Sequence, residues 1–212
     1  MSGAALLTEE EQALSVDVLA ESLNLGLGHV IEELAEISGS KIELHVPEVN
    51  MIPKQDAMRF TDKMKQAKKA IFVIQEFSGE INGEALLFFS EKESLNLLNG
   101  LLLDGEEKLI EFSTTEEEML LDLTNVAVSG VLYVLSNMLD VKLNTELPTC
   151  EYGQFKDIQK DTMLLENADD MVLFLTISFT VVKRNSKAQL MFFQPNNSMS
   201  TLYDRIKMRL GI

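Results

Sequence analysis

Asp17, Glu21, Asn24 and Gly28 are spaced four, three and four residues apart, in a stretch whose apolar residues recur with a helical period. At 100° per residue they fall within an arc of roughly 60°. Leu19, Leu23, Gly26, Val30, Leu34 and Ile37 fall on the opposite side. The helix therefore packs by one face and displays acid, acid, amide and a small residue on the other. Carboxylates can pair with a cation, and an amide donates and accepts hydrogen bonds at once. Asn is a poor helix former, so its presence mid-helix asks for a reason. The two glycines also cost helix propensity. Gly26, on the apolar side, suits close packing, and Gly28 suits a bare surface. One such stripe by itself reads as a solvated helix face.

The stripe recurs. Adding 101 to a residue number takes Asp17 to Glu118, Glu21 to Asp122, Asn24 to Asn125, Lys41 to Lys142 and Pro47 to Pro148. Phe88-Phe89 matches Phe192-Phe193 after three inserted residues. Glu118, Asp122, Asn125 and Ser129 form the second stripe, and Leu120, Ala127, Val131, Leu135 and Met138 face away from it. Two copies suggest one pseudo-two-fold domain rather than a solenoid. A duplication needs to keep its core pattern, but not an exposed Asn at the same place twice.

The elements that position these stripes repeat in the same order. A helix runs from about Thr8 to Ile37, then "KIELHVP" alternates as a strand that stops at Pro47. "PKQDAMRFTDKMKQ" reads as a weak helix opening with Pro53. "AIFVIQEF" and "GEALLFF" form a hairpin through Gly79, Asn82 and Gly83, and Ser90 caps the helix "SEKESLNLLNGLL". The second copy opens with a capping-box helix at "STTEEEM". It continues with a strand ending at Pro148, a short helix at "FKDIQKDTMLL", a hairpin around "KRNS" and a last helix at "NSMSTLYDRIKMRL". The division is a single domain, residues 1–212, of two repeats at about 8–103 and about 113–212, joined by a linker at about 104–112.

Composition narrows the function. The 212 residues carry a net charge of −16, which argues against nucleic acid and against anionic membrane surfaces as partners. The longest mostly apolar stretch, "MVLFLTISFTVV", is too short to span a bilayer as a helix and reads as a buried strand, so no membrane insertion is expected. The start of the chain has no signal-peptide pattern, and one cysteine allows no internal disulfide; both point to the cytoplasm. One cysteine and two histidines make a structural zinc site improbable.

Asp or Ser, three residues, Glu, two residues, Asn, twenty-two residues and Pro resembles the signature of the CheC/CheX/FliY phosphatases of bacterial chemotaxis. Asp17, Glu21, Asn24 and Pro47 match it fully, and "NLGLGHV" looks like the Asn-x-Gly-x-Gly run of that family. The second copy matches at Asn125 and Pro148 and departs at Glu118 and Asp122. Length and duplication look most like CheC, which carries two such helices in one chain. The flagellar-switch relatives add a leader and a C-terminal module, and neither is expected here.

The resemblance implies an α/β (α+β) fold with a six-stranded sheet and two long pseudo-symmetric helices side by side on one face. It implies a phosphatase, a hydrolase acting on the phospho-aspartate of a CheY-type response regulator, and leaves room for a CheD-like partner. The chain would need no cofactor of its own, since the regulator brings Mg²⁺ and a lysine. Asn24 would orient the attacking water, as a GTPase glutamine does. Glu21 would pair with the regulator's lysine, Asp17 would support the rim of the contact, and Pro47 would shape the surface. Asp122 is one methylene shorter than Glu, which sets its carboxylate back by on the order of 1 Å and implies a second site, with Asn125 intact, that is either weaker or tuned to a different regulator.

Two other readings compete: a docking module of the same fold without turnover, and an acidic domain with chance matches. The remaining signals have plainer readings. His29 and His45 lack ligand partners, Cys150 has no His and acid beside it to activate it, and the run "KMKQAKK" is a solvated helix face.

Overall fold

The computed structural model describes residues 8–38, 41–53, 56, 70–101, 113–153, 171–181, 184–193 and 196–211. The first helix, α1 (Glu9–Gly26), opens on a reciprocal cap. The Thr8 N–H donates to Glu11 Oε2 at 2.7 Å, and the Glu11 N–H donates to Thr8 Oγ1 at 3.2 Å. The expected single helix is interrupted once, at Leu27, and α2 (Gly28–Ser38) follows. The axis carries through, because Leu27 donates to the Leu23 carbonyl at 2.9 Å and accepts from Ile31 at 3.0 Å. A glycine on each side of Leu27 lowers the local cost of the break.

β1 (Ile42–Pro53) corrects the expectation that the strand stops at Pro47. It pairs antiparallel with β6 (Met171–Val181) along its length, with a register shift between His45 and Glu48. Pro47 lies inside that shift, where a residue without an N–H costs the ladder nothing. β2 (Ala70–Gly79) and β3 (Gly83–Ser90) form the expected hairpin. Gly79 has φ +140°, and a Cβ there would lie 2.0 Å from the Lys142 carbonyl oxygen, so only glycine fits. Ser90 caps α3 (Glu91–Leu101) through mutual bonds with Glu93.

The long helix α4 (Thr114–Leu139) opens on the expected capping box, with the Ser113 N–H donating to Glu116 Oε2 at 2.8 Å. After it come β4 (Leu143–Thr145), β5 (Thr149–Gly153), β6, β7 (Arg184–Phe193) and α5 (Asn196–Leu210). Among the described residues the sheet has seven strands, where six were expected, in the order β1-β6-β7-β3-β2-β4 with β5 also on β2. The extra strand is one edge position cut in two. β4 pairs with Phe77–Gly79 and β5 with Ala70–Ile74, and Glu146, Leu147 and Pro148 fall between them. The proline that β1 absorbs in a bulge thus divides the opposite edge strand. The two weak helices expected near 53–66 and 155–165, and the linker near 104–112, lie outside the described residues, apart from Pro53 at the end of β1 and Asp56.

Alternation decides which face of the sheet meets the helices. Ile71, Val73 and Phe77 of β2, Ala85, Leu87 and Phe89 of β3, and Leu190 and Phe192 of β7 join Leu19, Leu23, Leu27, Val30 and Leu34 in one core. α4 completes it and packs against α1, α2, α3 and α5, so it is buried over a wider arc than α1. By length and composition the helical segments Ala13–Glu36 and Thr114–Leu139 could each cross a membrane. Here their apolar sides are spent on the sheet and on each other.

Candidate functional site

Asp17, Glu21, Asn24 and Gly28 are all exposed, while Leu19, Leu23, Leu27, Val30 and Leu34 on the other side of the helix are buried. The first stripe is therefore displayed as its periodicity predicts. On α4, Glu118 and Asp122 are exposed, but Asn125 and Ser129 are only half-exposed. Pro148 is half-buried between β4 and β5. The first-copy proline, Pro47, sits in the bulge of β1, the strand on which α1 packs.

The two helices meet where glycine removes a side chain. A Cβ on Gly26 would lie 2.4 and 2.8 Å from the Val134 methyls, and one on Gly130 would lie 2.1 Å from a Val30 methyl. Residue numbers rise on one helix as they fall on the other, so the crossing is antiparallel. At that register Asn24 is level with Ser136 and Asn125 with Ala35. The two amides are thus roughly 16 Å apart along the pair at 1.5 Å per residue. A Cβ on Gly28 would meet nothing within 4 Å, which fits a surface position.

Asn125 has a partner that the sequence reading missed. Gln75 Nε2 donates to Asn125 Oδ1 at 2.8 Å and to the Glu146 carbonyl at 2.9 Å. Gln75 is 0% exposed. It occupies the row of β2 otherwise filled by Ile71, Val73 and Phe77, all buried under the helices. A polar residue at an apolar position of a period-2 strand was the available signal. Two buried polar atoms beside Asn125, Gln75 Oε1 and Thr124 Oγ1, have no hydrogen-bond partner among the described residues.

Large apolar side chains stand exposed beside both stripes. Leu25, next to Asn24, is 78% exposed, and Leu147, next to Glu146, is 84% exposed. His29 is a surface residue 3.6 Å from Glu32. Burial, with Glu117 and Glu151 nearby, pushes the Cys150 thiol up to about 12, so it stays protonated and inert at neutral pH. Among the described residues no group of three or more His, Cys, Asp or Glu is arranged to hold a metal ion. The arrangement thus offers displayed carboxylates and amides on a rigid helix pair, suited to pairing with a cation and to positioning a small molecule.

No protein-family model and no curated protein matches the sequence. Solved structures do. Thermotoga maritima FliY superposes with a TM-score of 0.73 at 18% identity, covering 96% of this chain and 99% of that one. The FliM middle domain from H. pylori superposes with a TM-score of 0.64 at 10% identity, covering 94% and 99%. A FliG–FliM complex from H. pylori matches with a TM-score of 0.62 at 12% identity, covering 93% and 100%. The chain has the CheC-like fold, an α+β fold with an antiparallel sheet and long helices.

Proposed function

We propose that the chain is a phosphatase that hydrolyses the phospho-aspartate of a CheY-type response regulator. The observation that supports this reading most is the first stripe. Asp17, Glu21 and Asn24 are displayed together on one helix of a CheC-like fold, at the spacing that resembles the chemotaxis phosphatases. A phospho-aspartate is an acyl phosphate and already labile, and the regulator supplies Mg²⁺ and a lysine. The remaining task is to hold water in line with the breaking bond. Asn24 can accept from that water and donate to a phosphoryl oxygen. Glu21, one turn earlier, pairs with the lysine, and Asp17 extends the acidic rim. Leu25 gives the contact an apolar footing.

A second reading is a docking module without turnover. It is favoured by the likeness to the FliM middle domain, a protein also solved in complex with FliG. Decay of the phosphorylated regulator, followed with and without an equimolar amount of the chain, separates the two. The phosphatase reading expects faster decay. Binding with unchanged decay would leave the docking module.

A further inference from the structure

We propose that Tyr133, on the second long helix, is a specificity-determining residue of the first site: with Leu25 it forms an apolar anchor beside Asn24 that seats the phosphorylated regulator. This role rests on the phosphatase reading above.

The helix crossing places the two side chains. Gly26 and Val134 meet there, and a Cβ on Gly26 would lie 2.4 Å from a Val134 methyl. Leu25 precedes Gly26 and Tyr133 precedes Val134, and both turn to solvent, 78% and 65% exposed. At the antiparallel register Tyr133 is level with Leu27. It stands roughly 3 Å along the pair from Leu25 and roughly 4.5 Å from Asn24, at 1.5 Å per residue. Packed helix axes lie about 8–10 Å apart, and an ordinary interface covers about 800 Å² of each partner. A regulator docked on Asn24 therefore covers Leu25 and Tyr133 as well.

Large apolar side chains exposed side by side on a strongly acidic chain mark a contact surface. Asp17, Glu21, Glu32 and Glu33 are exposed around them. An apolar centre with an acidic rim fits a partner face that carries an apolar contact and a cation. The regulator's lysine beside the phospho-aspartate is such a cation. A tyrosine ring gives broad contact at low entropic cost.

The second site lacks this anchor. Shifting by 101 residues takes Leu25 to Val126, which is half-exposed, and Tyr133 to Glu32, which is exposed. Glu32 is level with Val128, three residues from Asn125, as Tyr133 is three residues from Asn24 in the same register. The exposed apolar residue near Asn125 is instead Leu147, on the break between β4 and β5, where Gln75 bonds both Asn125 and the Glu146 carbonyl. The first site is footed at the helix crossing and the second at the sheet edge, so the two accept different regulator faces.

The test uses the full chain and two probes: the regulator carrying beryllofluoride for binding, and the phosphorylated regulator for decay. Tyr133→Ser should raise the regulator concentration for half-saturated decay about tenfold and lower the saturated rate far less. Tyr133→Phe should stay within about twofold of wild type, because the ring supplies the contact. Leu25→Ser should also raise half-saturation, and the double change should lose less than the product of the two, as a shared anchor requires. In an Asn125→Ala background the effect of Tyr133→Ser should persist in full. Half-saturation unchanged by Tyr133→Ser would overturn the proposal, and so would an effect that vanishes with Asn125→Ala. A patch covered by a second copy of the chain would overturn it too: Tyr133→Ser would then convert a dimer to a monomer in sedimentation and leave half-saturation alone. A wild type that binds the beryllofluoride-bound regulator without speeding decay would overturn the phosphatase reading alone, and Tyr133→Ser weakening that binding about tenfold would still support the anchor. A wild type that does neither overturns both.

Discussion

Gly26→Ala tests the idea that two missing side chains set the helix crossing that presents the stripes. The added Cβ would lie 2.4 and 2.8 Å from the two Val134 methyls. Ordinary contact begins near 3.4 Å, so the helices must part by up to about 1 Å, because a β-branched Val134 cannot rotate both methyls away. Overpacking of this kind costs about 1–3 kcal/mol. The gain in helix propensity on replacing glycine by alanine returns about 1 kcal/mol. The net expectation is a loss of about 0–2 kcal/mol, or a fall in Tm of several degrees at about 2–4 °C per kcal/mol for a chain of this size. A double-mutant cycle makes the test sharp. Val134→Ala destabilises by itself through lost burial, but with Gly26→Ala the new methyl occupies the vacated space. The coupling between the two should be about 1–2 kcal/mol in the stabilising direction. Thermal or denaturant unfolding of the four proteins measures it. Gly26→Ala that stabilises by its full propensity gain, with no coupling to Val134, would refute the reasoning.

Three further outcomes follow from the same geometry. The Lys142 N–H, with Arg205 alongside, holds the Glu80 carboxyl below its usual 4.5, and hydrogen bonds to Thr8 do the same for Glu11. A depressed folded pKa contributes stability that is full above the unfolded value and lost as pH falls through the folded one. Stability should therefore drop below about pH 4.5, and Glu80→Gln should flatten that limb of a Tm-versus-pH curve; an unchanged limb contradicts the assignment. Cys150, with its thiol pushed up to about 12, should react with a maleimide at pH 7.5 far more slowly in the folded chain than in urea, and equal rates would contradict its burial. Leu147→Ser should leave the unfolding free energy within about 0.5 kcal/mol of wild type, as surface changes do, while weakening regulator binding measured by calorimetry. Unaltered binding would remove Leu147 from the docking surface.

The displayed face of α1 was legible because helical periodicity sorts residues by angle and burial obeyed it, as Leu19, Leu23 and Asn24 show. The division of labour between Gly26 and Gly28 was legible for the same reason. The strand ends were not. Proline removes one hydrogen-bond donor, and whether that ends a strand depends on whether a bulge can absorb it. β1 has such a bulge at Pro47, and the opposite edge breaks at Pro148 instead. That difference turns six strands into seven. The Gln75 bond to Asn125 was hidden because Gln75 lies 50 residues away, and pattern alone does not reveal which polar residue a sheet will tuck beneath a helix. The difference in exposure between the two amides thus belongs to tertiary packing, although their spacing belongs to the sequence.

The most direct test of the central claim is the saturating decay rate of a phosphorylated CheY-type regulator with wild type, Glu21→Ala and Asn24→Ala. The phosphatase reading expects Asn24→Ala to lower the saturated rate by about 10²-fold with binding nearly kept, because it removes the group that positions the water. It expects Glu21→Ala to raise the concentration needed for half-saturation more than it lowers that rate. A wild type that binds the regulator and leaves its decay unchanged, or an Asn24→Ala variant as fast as wild type, would contradict it.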